Sequence, residues 1–102
     1  MKVAVIGIGY WGIKHVEEYV ALGHDVVIYD PDEKNISVCK QKFQSIVSTN
    51  LETILSDDSI TCVSICTPNN THFEIAKKCL EAKKHVFLEK PIATNTVSYT
   101  HL

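Results

Sequence analysis

The chain has 102 residues, of which 45% are apolar and 22% charged, with 10 basic against 12 acidic groups for a formal net charge of −2. That length and mixture suit one compact domain and exclude intrinsic disorder as the main state. With no basic excess, neither nucleic acid nor an anionic membrane is expected as a partner. No apolar run approaches the roughly 20 residues of a membrane span.

The elements follow in chain order. Lys2 to Ile6 is a short run, aliphatic on both faces and ended by glycine, as expected of a buried strand. Tyr10 to Leu22 is expected to be a helix with Ile13, Val16 and Val20 on its apolar stripe and Gly23 at its C-terminal cap. Asp25 to Tyr29 predicts a second buried strand, closed by Asp30-Pro31. Asp32 to Phe43 predicts a helix with Ile36, Cys39 and Phe43 on one stripe. Ser45 to Ser48 is a short strand and Leu51 to Leu55 a brief helical turn. Ile60 to Cys66 is a strand broken by Thr67-Pro68-Asn69-Asn70. A helix is expected from about Thr71 to Ala82, opened by the capping box Thr71-x-x-Glu74, with Phe73, Ala76 and Leu80 on its stripe, joined by Ile75 and Cys79. His85 to Leu88 is a last strand. The order β-α-β-α-β-β-α-β predicts an α/β domain with a doubly wound parallel sheet and helices on both faces.

The glycines are few and concentrated. Three of the four, Gly7, Gly9 and Gly12, form G-x-G-x-x-G directly after the first strand and at the opening of a helix. In that context each glycine has its own reason: a tight turn at Gly7, room for a pyrophosphate at Gly9, and close packing of helix on sheet at Gly12. The helix N-terminus then offers free N–H groups to phosphate. A strand-to-helix turn that merely needs glycine is the plainer reading, and three correct spacings argue against it. Asp30 ends the second strand, 18 residues after Gly12, where a carboxylate takes the ribose hydroxyls of NAD and repels the 2′-phosphate of NADP. The competing role for Asp30 is to cap the turn before Pro31. The scattered cysteines lack C-x-x-C spacing and read as core thiols rather than metal ligands. With no signal-peptide cleavage site, they are expected to be reduced, in the cytoplasm. His15 and His24 read as surface groups and His85 as structural. His72 follows a strand's C-terminal end, where it serves either as a cofactor contact or as an ordinary helix-end histidine.

Together, Gly7-Ile8-Gly9-Tyr10-Trp11-Gly12, Asp30-Pro31-Asp32, Cys66-Thr67-Pro68-Asn69 with His72, and Phe87-Leu88-Glu89-Lys90-Pro91 resemble the glucose-fructose oxidoreductase, inositol dehydrogenase and rhizopine-catabolism (Gfo/Idh/MocA) family over residues 1–96. The resemblance implies a Rossmann dinucleotide-binding domain, C-terminally truncated, from an NAD(P)-dependent oxidoreductase of a sugar, cyclic polyol or sugar nucleotide. It implies that Thr67, Pro68 and Asn69 line the nicotinamide side, that Lys90 sits beside the reacting carbon, that Glu89 orients the loop or the ribose, and that Pro91 fixes the turn. NAD is expected ahead of NADP. Family members continue into an α/β substrate domain carrying the Asp and His of proton transfer, and the full-length protein is expected to be a homo-oligomer. This chain is expected to hold most of a cofactor site and no substrate site, and hence to be inactive alone. Residues 97–102, VSYTHL, fit a helix poorly and back-translate to the end of a transposase sequencing adapter, so they are expected to be a non-native tail. A dinucleotide-sensing regulatory module is the reading from another class. It shares the glycine motif and acidic strand end but gives no reason for Glu89-Lys90-Pro91 beside Thr67-Pro68-Asn69. A methyltransferase ranks third, since its glycine loop usually lacks the counterpart of Gly12.

Overall fold

The computed structural model describes residues 1–44, 46–67 and 69–88. Its elements are β1 (Lys2–Ile6), α1 (Tyr10–Ala21), β2 (Asp25–Tyr29), α2 (Glu33–Lys42), β3 (Val47–Ser48), α3 (Leu51–Ser56), β4 (Ile60–Ile65), α4 (Asn69–Glu81) and β5 (His85–Leu88). All strand pairs are parallel and the order is β3-β2-β1-β4-β5. The doubly wound parallel sheet expected from the sequence is therefore the fold. The order reverses at β1, so its C-terminal end is flanked by two chain segments that leave in opposite directions.

Alternate residues of the strands feed two cores, because successive side chains point to opposite faces. Val3, Val5 and Ile28 pack with Val16 of α1 and Cys39 of α2 on one face. Ala4, Ile6, Val63 and Ile65 pack with Ile54 of α3 and with Ala76 and Cys79 of α4 on the other. Burial raises the thiol of Cys39 above its usual value and pushes that of Cys79 up to about 11.

Several expected helix faces and ends are corrected. On α1, Val20 is exposed; Tyr19 reaches the core instead, its hydroxyl paired with the buried Ser64 of β4. On α4, Phe73 and Leu80 turn outward, and the small Ala76 and Cys79 let the helix lie close to the sheet. That helix begins at Asn69, so Thr71 lies inside its first turn rather than at its cap. The residue ahead of Asn69 is a proline, which has no amide hydrogen to lose at a helix start. Asp32 and Phe43 cap α2 rather than belonging to it; β3 is Val47–Ser48, with Ile46 ahead of it and Ser45 outside the described residues. His15 and His24 are half-buried rather than free on the surface: the His15 ring lies 5.5 Å from Phe87 and that of His24 6.2 Å from Tyr19. His85, expected to be structural, is the exposed first residue of β5.

At the opposite end of the sheet from the glycine loop, one residue ties three strands. The Asp57 carboxylate accepts from Lys2 Nζ at 3.0 Å and from the Ser59 N–H at 2.9 Å, and its carbonyl accepts from the buried Lys84 ammonium. The hydrogen bonds from Ser59, and then Lys2, hold the Asp57 carboxyl down to about 2.

Both long crossover helices end in the same way. After α1, Gly23 takes φ +84° while its N–H bonds Val20 O and that of His24 bonds Tyr19 O. After α4, Lys83 takes φ +63°, with matching bonds from Lys83 to Leu80 O and from Lys84 to Cys79 O. A left-handed conformation costs an L-residue roughly 1–2 kcal/mol, partly offset on substitution by the greater chain entropy of glycine. Lys83→Gly is therefore expected to stabilise the domain by about 0.5–1 kcal/mol, read as a higher midpoint in urea. An unchanged or lower midpoint would count against strain at this position.

Candidate functional site

The glycine loop leaves β1 at the point where the strand order reverses. Gly7 turns the chain with φ +87°, and its N–H donates to Tyr29 O at 2.8 Å. A Cβ at Gly7 would lie 2.7 Å from the Thr67 nitrogen and 2.8 Å from the Cys66 carbonyl carbon. The first glycine is thus what allows the end of β4 to close on the loop. A Cβ at Gly12 would be driven into the Gly7 carbonyl oxygen, so the third glycine lets α1 press on the turn. At Gly9 a Cβ would meet nothing among the described residues within 4 Å. The second glycine faces open space, and its lack of a side chain is not explained by packing.

That space lies at the N-terminus of α1. Gly9 is the cap residue and contributes no side-chain hydrogen bond, and the first turn holds no acidic side chain. The amides of the first turn and the positive end of the helix dipole therefore meet no competing carboxylate from the first turn of their own helix. Tyr10 and Trp11, which start the helix, are 71% and 50% exposed, with their rings in edge contact at 5.0 Å and Lys14 Nζ over Tyr10. Ile8 has a different place. Its side chain is fully buried with Val5 and Val16, and its N–H is already taken within the protein.

Asp30 takes it. This carboxylate, only 8% exposed at the end of β2, accepts from Ile8 N at 2.9 Å and Asn35 Nδ2 at 3.1 Å through Oδ2, and from Asp32 N at 2.8 Å through Oδ1. Asp30 is thus a turn anchor, as the plainer reading had it, and it also reaches across to hold the glycine loop. Thr67, at the other wall, is 7% exposed, and its hydroxyl is buried with no partner among the described residues. A buried hydroxyl left unpaired costs free energy, and such atoms concentrate where a ligand is to supply the partner.

Gly7, Gly9, Gly12, Asp30 and Thr67 are thus brought to one edge of the sheet, where β1, β2 and β4 end. Asn69 and His72 belong to the first turn of α4, which leaves that same edge. Pro68, Glu89, Lys90 and Pro91 lie outside the described residues, as does the tail 97–102. Sequence reasoning passed over Asn35. A polar side chain in the first turn of the helix after the acidic strand end was the available signal.

A glycine-lined helix N-terminus at the switch point of a parallel sheet, with a carboxylate at the end of the neighbouring strand, defines the dinucleotide-binding class of α/β domains. A nicotinamide dinucleotide fits these residues: open space at Gly9 for the pyrophosphate, and a buried Thr67 hydroxyl with no partner among the described residues. The family described as "Oxidoreductase family, NAD-binding Rossmann fold" (Gfo/Idh/MocA) matches residues 1–101, and the chain belongs to it. The myo-inositol 2-dehydrogenase of Thermotoga maritima is 32% identical over 93% of this chain and 29% of its own length. Among solved structures, GenD2 from gentamicin A biosynthesis, in complex with NAD, has a TM-score of 0.82 and 32% identity, covering 99% of this chain and 30% of that one. Biliverdin reductase from Synechocystis, in complex with biliverdin and NADP+, has a TM-score of 0.80 and 26% identity over 98% of this chain and 32% of that one. The chain spans about a third or less of each relative.

Gly9→Val is expected to leave the fold intact, since a Cβ there meets nothing among the described residues, while abolishing dinucleotide binding. Gly12→Ala is expected to unfold or distort the domain itself. Circular dichroism melts beside NAD titration separate the two, and normal binding by Gly9→Val would show that this loop does not cradle the phosphates.

Proposed function

We propose that this chain is the cofactor-binding part of an NAD-dependent oxidoreductase that moves hydride to or from a carbinol carbon of a sugar, cyclic polyol or sugar nucleotide. The observation that carries the reading is the open space at Gly9, at the α1 N-terminus, on the sheet edge that also holds Asp30 and a buried Thr67 hydroxyl with no partner among the described residues. When bound, the dinucleotide supplies a nicotinamide carbon that accepts or returns hydride. The chain's own residues do the rest. The first-turn amides of α1 hold the pyrophosphate. Asp30 uses its remaining acceptor capacity for the adenosine ribose and disfavours a 2′-phosphate. Thr67, Pro68 and Asn69 line the nicotinamide side, His72 contacts the cofactor, Glu89 orients the loop or the ribose, and Pro91 fixes the turn that carries Lys90.

Lys90 has the chemical role. Oxidation of a carbinol sends hydride to the nicotinamide and the hydroxyl proton to a base, and charge builds on the oxygen as both leave. A lysine held beside that oxygen stabilises the charge or relays the proton. In the sequence Pro91 follows Lys90 directly, and a residue before proline disfavours helical backbone. The residues that grip the substrate belong to the further length over which the relatives extend. The 102-residue chain alone is expected to bind NAD weakly and turn nothing over. The working protein is proposed to be a cytoplasmic homo-oligomer that uses neither nucleic acid nor a membrane as partner; no helix among the described residues is long and apolar enough to cross one.

The test of the cofactor assignment is titration of NAD and NADP into wild type and Asp30→Ala, with folding followed by circular dichroism. Loss of a charge-assisted hydrogen bond is expected to weaken NAD by about ten- to a hundredfold and to narrow the preference over NADP. Unchanged NAD affinity in the folded variant would reduce Asp30 to a turn residue. In the full-length protein, Lys90→Ala is expected to lower turnover at saturating NAD by roughly 10²–10⁴-fold while NAD affinity stays near wild type. Near-normal turnover would remove Lys90 from the chemistry.

A further inference from the structure

The hydrogen bonds around Asp30 are unequally divided between its two oxygens. An ionised carboxylate has about four acceptor positions. Oδ2 uses two, one on Ile8 N and one on Asn35 Nδ2, whereas Oδ1 uses one, on Asp32 N. Two of these three donors are main-chain groups set by the glycine loop and by the start of α2. The third is a side chain, and it alone can be removed without moving the backbone.

Asn35 is well placed to hold that position. It is half-buried in the first turn of α2, and its own N–H bonds Asp32 O at 3.1 Å. Asp32 in turn caps the helix by accepting from Lys34 N at 2.9 Å. Rotation of a carboxylate about its last bond is broad and two-fold, so an aspartate is not oriented by its own rotamer preference. With Asn35 present, Oδ2 is filled and Oδ1 retains the free acceptor position. Without it, the carboxylate can turn, share Ile8 N between its oxygens, or swing off the ribose altogether.

We infer that Asn35 is a positioning residue for cofactor choice: it fills Oδ2 of Asp30, commits Oδ1 to the adenosine ribose, and so sharpens preference for a 2′-hydroxyl over a 2′-phosphate. The inference rests on the ribose role proposed above for Asp30. Asn35 touches no part of the dinucleotide in this account and acts only through the orientation of the carboxylate. A mobile carboxylate loses a hydrogen bond to the hydroxyl and also avoids a phosphate more easily, so the two cofactors respond unequally.

The experiment is a double-mutant cycle with Asn35→Ala, Asp30→Ala and the pair, in which NAD and NADP are titrated separately and thermal melts are recorded. Asn35→Leu, which keeps the side-chain volume, serves as a second variant should the alanine protein melt early. Either Asn35 variant is expected to weaken NAD by roughly three- to tenfold, the range for one net hydrogen bond, and to weaken NADP less. In the Asp30→Ala background, Asn35→Ala is expected to change neither affinity further. Equal losses for NAD and NADP would overturn the inference, as would no loss at all, or an undiminished effect in the Asp30→Ala background. Those three results leave the ribose role of Asp30 standing, because Asp30→Ala alone would still weaken NAD. If Asp30→Ala leaves NAD affinity unchanged, the ribose role fails and the positioning role with it.

Discussion

A hydrogen bond of 2.9 Å from the Ile8 amide to Asp30 joins residues 22 positions apart, and the whole cofactor edge is arranged around it. Ile8 sits between the first two glycines of the loop, so fixing its amide fixes the turn on either side. Its side chain is driven into the core beneath α1, which anchors the loop from below while Asp30 anchors it from beside. The carboxylate is nearly buried, and a buried charge is tolerated only when hydrogen bonds surround it. Three donors do so here. The same group that would select the cofactor therefore also holds the loop that receives it. Recognition and architecture meet at this residue.

The glycine turn depends on that arrangement in a graded way. Gly12 is required by the fold, because α1 rests on the Gly7 carbonyl. Gly7 is required by the approach of Thr67, which brings the end of β4 against the loop. Gly9 is required by neither. Two glycines thus serve the protein and one keeps room for something else, a division that the motif's regular spacing conceals. The Thr67 hydroxyl, buried with no partner among the described residues, points to the same conclusion.

The strands were legible because β1, β2 and β4 are short aliphatic runs that parallel sheets bury on both faces, and their shortness and the Gly7, Pro31 and Pro68 that follow them set them apart from buried helix segments. The switch point followed from the order of elements. The helix faces were less legible. A stripe through Val20, Phe73 and Leu80 satisfies helical periodicity, yet the faces that bury are those with small or amphipathic residues able to come close: Gly12, Tyr19, Ala76 and Cys79. Periodicity counts apolar residues and does not weigh their size. The long-range polar pairs were not legible. Tyr19 with Ser64 and Lys84 with the Asp57 carbonyl depend on which elements the fold sets side by side, whereas Asn35 with Asp30 is a local pair whose signal was passed over. Asp30 itself was visible as an acidic strand end; its bond to the loop was not.

The central place of β1 has a consequence for how the protein is made. β1 leaves the ribosome ahead of both its neighbours, β2, which follows soon after, and β4, which ends only at Ile65. Until that residue emerges, one edge of β1 is unpaired and the Gly7 turn has no Thr67 to close against. The nascent chain holds its glycine motif early but acquires the second wall of the pocket late. Competence to hold a dinucleotide is then a property of the assembled sheet rather than of the N-terminal βαβ unit, and cofactor capture during synthesis waits for more than half of this segment to be translated.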